Sequence, residues 1–536
     1  MSETQSKGGS TFFGGAAILA AGILVVKLIS MLYKMPLANI LGSGGGYTDF
    51  TAAFNVFNVL LIISTAGVPV AISKLVSEAN ARGQREHIHH IFSVAFVFFF
   101  TFGALCSCIM FFGANIFASV MGDTKAATCM RALAPSVMLV SGLAVYRGYA
   151  QGHRHMTPSS VSQIIEALFK LLIGLPLAWY LLNVLKQPDH MGAAGAIVGV
   201  TASELIALLY MAIEQRRFRR HEPPGTDKRT FATHVILGNC LALAVPITLT
   251  SASTSLITLV DNALVLRRLQ HAGLMLQEDA ARALMSNYSV VQTVYQIPAA
   301  LMVAITASVI PAVTACFTKR DRKGAARIVG SALKTAALIA LPSGVGMIVL
   351  GTPITAMLFP AYDLEVAGPI LSILGVANIF VCLMLVCNSV LQSHGVLHLP
   401  IVTMLIGGIT MVLFDYFMVG TVRFNIYGSP IGTCICYGLT CLLDLAIVHR
   451  IVPGCPSYLK VFGKTIIASA VMGAAVWGMY GAISTQMGSR ISVLLSVFVG
   501  ALLYSLLIIA LRVLTMDDLS LMPKGDKIAK LLRMKI

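Results

Sequence analysis

EQRRFRRHEPPGTDKR, residues 214–229, is the longest basic break in a chain that otherwise runs as one apolar stretch after another. It leaves stretches of similar size on either side, and these echo one another. AGVPVAISKLVSEANARG (66–83) follows a helix expected to open at Tyr47, and ASVIPAVTACFTKRDRKG (307–324) follows one expected to open near Tyr288. QGHRHMTPSSV, from Gln151, is echoed by QSHGVLHLPIV, from Gln392, at the same offset. A duplicated unit is therefore expected. A spanning helix needs about 20 mostly apolar residues, and fourteen such stretches are present, among them 12–40, 47–73, 233–266 (span 7) and 286–317 (span 8). The expected fold is an all-α polytopic membrane protein of about 14 transmembrane helices, with two six-helix lobes as parallel repeats plus two C-terminal helices. The boundaries are 1–216 for the N-lobe, 217–232 for a basic cytoplasmic linker, 233–452 for the C-lobe and 453–536 for the last two spans and a basic tail.

Composition supports immersion in lipid. Of the 536 residues 57% are hydrophobic and 11% charged, against about 25% charged in soluble domains. Lys and Arg outnumber Asp and Glu by 38 to 22, an excess that in a membrane protein belongs to cytoplasmic loops and not to nucleic-acid binding. Placing both termini in the cytoplasm puts 25 of the 38 basic residues on the inner side and 8, Arg282 among them, on the outer. The tail KGDKIAKLLRMKI and the basic loops suit contact with anionic lipids. Cys106, Cys108, Cys240, Cys316, Cys382, Cys387, Cys434, Cys436 and Cys441 lie in apolar runs and read as small buried hydrophobes. They have no zinc-ligand spacing, so no metal site beyond a coupling Na⁺ is expected. The outer loops are short and carry no paired carboxylates or His cluster, so no catalytic residue is assigned and a carrier, not an enzyme, is expected.

Charges inside spans cost at least about 2.5–3.5 kcal/mol on insertion scales and normally face a partner or a wet cavity. The basic ones are Lys27, Lys34, Arg147, Lys170 and Lys334; the acidic ones are Asp49, Glu166, Glu204, Asp261, Asp415 and Asp444. Glu166 and Lys170 have the i,i+4 spacing of a helical ion pair, and Arg147 matches Glu166 in depth. Lys34 is expected to reach Asp49 across the turn GSGGGYT. Lys27 and Lys34 form a ladder that a pyrophosphate could follow, or simply balance Glu204 and Asp49. Asp261, Asp415 and Thr433 share a depth near the outer face. Two carboxylates and a hydroxyl there suit Na⁺ or a shared proton.

The stretch YRGYAQGHRHMTPSSVSQIIEALFK, from Tyr146, resembles the RGYxQGxxxMxPxxxSQIIE signature of SpoVB-like proteins in the multidrug/oligosaccharidyl-lipid/polysaccharide exporter superfamily. LVDNALVLRRLQHAG (259–273) and KLISMLYKMPLANILG are similar to further segments of that group, so the resemblance covers essentially the whole chain. The related MurJ lipid II flippases are resembled in GSGGGYTDFTAAF, which assigns their outer-mouth aspartate to Asp49, and Lys27 and Lys34 fall at or near basic positions of their first span. Their arginines in spans 2 and 8 find no counterpart around Leu61 and Thr293. The resemblance implies a Na⁺ site on Asp261, Asp415 and Thr433. It also implies a monomeric flippase in the bacterial cell membrane that moves an undecaprenyl-pyrophosphate-linked saccharide outward, with lipid II the leading candidate. A cation-coupled multidrug exporter and an exporter of another lipid-linked polysaccharide precursor are the alternatives.

Overall fold

Apolar runs of this length can satisfy their backbone in lipid only within helices or closed barrels. The computed structural model of the chain is built, among the described residues, from helices without strands. It describes residues 22–23 and 25–513, apart from 154, 221–230, 273–274, 319, 397, 453, 455–456, 485–488 and 512. The start of the first expected span, most of the expected linker and the basic tail lie outside the described residues. Eleven helical runs within them are long and apolar enough to cross a membrane, and the first, Val25–Ala81, carries both of the first two expected spans.

The chain divides into two compact units, Met1–Gln270 with Leu276–Ser286, and His271–Met275 with Asn287–Ile536. In the first, α1 (25–41) turns through Gly42–Gly46, where Gly42 and Gly45 take positive φ, into α2 (Tyr47–Thr65) and α3 (Val68–Ala81). Then come α4 (Arg85–Phe112), the short α5 (Ala114–Met121), α6 (Ala126–Gly152), α7 (Met156–Trp179) and α8 (Asp189–Arg220). The central helix is α6, packed on α2, α3, α4, α7 and α8. Val68, Ile72 and Val76 of α3, Ile88, Ile91 and Phe99 of α4, and Val145 and Tyr149 of α6 form one buried core.

Ile236, Cys240 and Ala244 of α9 (Thr233–His271) join that core. The sequence repeat and the packing thus divide the chain differently. Span 7, expected to open the second lobe, has its helix in the first unit. Gly67 permits this: a Cβ there would lie 2.3 Å from the Ala244 carbonyl oxygen, so only glycine lets the α9 backbone rest on the junction of α2 and α3. The contact is fixed by the Gly67 N–H donating to Thr248 Oγ1 at 3.3 Å.

The second unit holds most of α10 (Glu278–Thr318), then α11 (Arg322–Leu358), α12 (Leu364–Ser393), α13 (Leu399–Val419), α14 (Gly428–Ile451), α15 (Tyr458–Ile483) and α16 (Ser489–Ala510). Its central helix is α12, and in α6 and α12 alike 67% of the spanning segment is buried. The echo from Gln151 and Gln392 falls on matching places, the turns from α6 into α7 and from α12 into α13. Asp321 and Asp363 cap α11 and α12 by accepting from the Gly324 and Glu365 N–H groups. The last two helices pack on α11. Among the cysteines, Cys108 departs from expectation: it is exposed, because it shares α4 with Cys106 but points to the opposite face.

Candidate functional site

The signature stretch builds a brace between α6 and α7. Gly152 lets α3 approach, since a Cβ there would lie 2.6 Å from Val76 Cβ. Arg147, earlier on α6, donates from Nε to Ser162 Oγ at 3.0 Å and from Nη2 to Glu166 Oε2 at 3.0 Å. Both partners are carried by α7, so the motif joins two neighbouring spans through one guanidinium. The pair expected between Arg147 and Glu166 is present, whereas the one expected between Glu166 and Lys170 is not. Lys170 instead places its ammonium 5.4 Å from the centroid of the Tyr33 ring, a cation–π contact that competes with the carboxylate already held by Arg147. Arg147→Gln and Glu166→Gln should each lower thermal stability. In a double-mutant cycle the two losses should be less than additive, with a coupling of about 1 kcal/mol.

Lys34 lies within electrostatic range of Lys27 and Lys170. Lys27 and Lys34 are exposed, Lys170 is half-buried, and none of the three forms an ion pair among the described residues. Glu204, buried on α8, feels the charges of Glu166, Lys170 and Arg147, so it balances this group and not Lys27 alone. Four cations face two carboxylates, one of which is already paired. Lysines left uncompensated in membrane helices favour a wet cleft over hydrocarbon, and the group can accept a polyanion.

Asp49 does not reach Lys34. Its carboxylate is fully buried while Lys34 is exposed, and Arg282 holds it. Arg282 is 2% exposed and gathers three acids: Nε lies 2.9 Å from Asp49 Oδ1 and 3.0 Å from Asp123 Oδ1, and Nη1 donates to Asp279 at 2.8 Å. Thr48 Oγ1 donates to the Arg282 carbonyl at 2.8 Å, and Lys125 ties Asp279 in turn at 2.6 Å. The turn before α6 is thereby clamped to α2 and to the start of α10. Burial and the neighbouring Asp49 charge push the Asp123 carboxyl well above the usual carboxylate range. The Lys125 hydrogen bond leads the causes that hold Asp279 below it. Sequence reasoning missed this centre because it opened span 8 at residue 286 and counted Arg282 with the outer loops. The helix begins at Glu278, and its polar first turns EDAAR are the signal that could have extended it.

In the second unit α13 and α14 bring Asp415 and Thr433 together. A Cβ on Gly432 would lie 2.0 Å from Asp415 Oδ1, so that buried carboxylate rests against the backbone next to Thr433. The Thr433 hydroxyl donates to the Ser429 carbonyl at 3.0 Å and lies 3.3 Å from Tyr288 Oη. Asp261, the third member of the expected set, is buried on α9 of the first unit and not on a second-lobe helix. Asp444, on α14, accepts from Thr403 at 2.7 Å, a structural bond between spans.

Two helical units with charged side chains held inside their spans define a multi-pass membrane transport protein. The chain matches the model of the polysaccharide biosynthesis protein family over residues 12–317 and belongs to that family. It is similar to the Lipid II flippase MurJ of Bacillus subtilis (strain 168), with 22% identity covering 92% of this chain and 94% of the relative. It is also similar to Stage V sporulation protein B of the same organism, 21% identical over 96% of this chain and 98% of the relative. Among solved structures, the Lipid II flippase MurJ in its inward closed conformation shares the fold at a TM-score of 0.72 and 16% identity, covering 92% of this chain and 99% of that one.

Proposed function

We propose that the protein is a flippase that carries a prenyl-pyrophosphate-linked saccharide, with lipid II as its first candidate substrate, from the inner to the outer leaflet of a bacterial cell membrane. The observation that carries this reading is the group of Lys27, Lys34 and Lys170, in which Lys34 lies within electrostatic range of the other two and none forms an ion pair among the described residues. A pyrophosphate offers them compensating charge, and a hydrated path lets the glycan follow while the prenyl tail stays in lipid. The full-length similarity to a named lipid II flippase supports the substrate class. The basic bias of the loops supports cytoplasmic termini, and a single chain carries every residue the reading requires. In cells depleted of MurJ, expression of this protein should restore growth. Failure of a well-expressed, membrane-inserted protein to do so would point to a different lipid-linked saccharide.

Coupling is assigned to Asp415 and Thr433, both in the second unit, as a site for Na⁺ or a proton. Membrane burial of a carboxylate is costly, and a bound cation or proton lowers that cost. An ion biases a carrier only through different affinities for its two states. Asp415→Asn should therefore abolish the dependence of transport on a Na⁺ or proton gradient, with headgroup affinity changed less than about twofold. Unaltered gradient dependence in the variant would remove this site from the account.

A further inference from the structure

Asp415 on α13 and Thr433 on α14 have a counterpart in reverse at the other end of the same two helices. There the hydroxyl is on α13 and the acid on α14, with Thr403 Oγ1 lying 2.7 Å from Asp444 Oδ1. About 18 Å separates Thr403 from Asp415 along α13, at ~1.5 Å per residue, so the two pairs are distinct.

Asp444 is the less compensated acid. Its side chain is 0% exposed, Oδ1 meets Thr403, and Oδ2 has no hydrogen-bond partner among the described residues. Arg282 compensates Asp49 and Asp123, and Arg147 holds Glu166, whereas no described Lys, Arg or His acts on Asp444. The groups packed around it are neutral. Cys441, one turn earlier on α14, feels its charge, and α12 adds the thiols Cys382 and Cys387 to the same core. Tyr458 of α15 gives its hydroxyl proton to the Leu445 carbonyl at 2.6 Å, and His449 and Arg450 are exposed. A buried charge without a partner neutralises instead, which for a carboxylate means taking up a proton.

The Thr403 hydroxyl can serve both forms of the acid. It has one proton to give and two acceptors within reach, the Pro400 carbonyl at 3.1 Å and Asp444 Oδ1. With the acid ionised, the hydroxyl donates to the carboxylate. With the acid protonated, the Asp444 O–H donates to Thr403 Oγ1, and the hydroxyl turns its own proton to Pro400. A metal ion fits less well, because hard cations need several oxygen ligands. Thr403 and Asp444 touch directly, and the nearby Thr440 hydroxyl already donates to the Cys436 carbonyl at 2.8 Å.

We infer that Asp444 is a second cation site of this protein, specific for a proton, with Thr403 as the hydroxyl that turns from donor to acceptor when the proton binds. The bond that joins the two spans is then also the place where a proton is held. Its use in a transport cycle rests on the flippase reading, since a proton biases a carrier only if the two states hold it differently.

Infrared difference spectra of the purified full chain in lipid test the site without reference to transport. At neutral pH, wild type minus Asp444→Asn should show the carbonyl band of a protonated carboxyl, shifted in heavy water and lost reversibly in alkali. Thr403→Val should move that band, and Thr403→Ser should return it to the wild-type position. The Thr403 variants carry the test alone if Asp444→Asn does not fold. A difference spectrum that shows an ionised carboxylate in place of the acid band would overturn the proposal, as would a band indifferent to Thr403→Val. Added lipid II or another prenyl-pyrophosphate saccharide should change the intensity of the band. A band that responds to pH and to none of these lipids would separate the site from the transport cycle and leave proton binding in place.

Discussion

Arg282→Ala should destabilise the protein by about 3–5 kcal/mol, the cost of removing one partner from a buried ion network. Two fully buried carboxyl groups, Asp49 and Asp123, share the Nε of this one side chain and a hydrogen bond with each other. Without the guanidinium the charge of the acid pair is left uncompensated in a site closed to water, and α2, the turn before α6 and the start of α10 lose their common anchor. Arg282→Lys keeps the charge but not the planar fork, so it should fall between alanine and wild type. Asp123→Asn should behave differently. Because the folded carboxyl sits above its unfolded value, the folded state holds a proton longer than the unfolded one. Stability should therefore fall as pH rises out of the ordinary carboxylate range. The asparagine should remove that slope and change stability near neutral pH by no more than about 1 kcal/mol. Thermal unfolding in detergent across pH 4 to about 8 checks all three variants. An Arg282→Ala protein that melts with wild type would show that the acids are satisfied in another way.

Lys27→Ala and Lys34→Ala should each lower lipid-linked saccharide transport by about tenfold or more, with insertion and folding retained. Neither lysine holds the fold together: both are exposed and neither forms an ion pair among the described residues. What each loses is a charge-assisted contact to the pyrophosphate, worth about 1.5–3 kcal/mol. Arginine in place of either should preserve transport, because the charge is kept and the planar guanidinium can bind phosphate oxygens in a bidentate way. Transport by the folded alanine variants at the wild-type rate would leave the ladder as surface charge.

The spans were legible because lipid demands long apolar helices, and the brace was legible because Arg147 and Glu166 lie on adjacent helices joined by a short turn. The same locality misled at Glu166 and Lys170: helical spacing brought the two within reach, but the Tyr33 ring on a distant helix took the ammonium. Lys34 and Asp49 were judged by the turn that connects their helices, while the partner of Asp49 stands 233 positions away in the chain. Asp123 sits in a turn with nothing local to mark it. Its role exists only once α2 and α10 converge on it. Span 7 was assigned by the repeat, whereas its helix packs where Gly67 opens a place for Ala244.

The most direct test is transfer itself. Purified protein is reconstituted in liposomes with fluorescent lipid II or another prenyl-pyrophosphate saccharide in the inner leaflet, and its arrival in the outer leaflet is followed for wild type and for the Lys27→Ala, Lys34→Ala double variant. Wild type should move at least one of these lipids faster than protein-free liposomes do, and the folded double variant should not. Rates for wild type no greater than those of empty liposomes with every pyrophosphate-linked saccharide, alongside measurable export of small cationic drugs, would contradict the assignment.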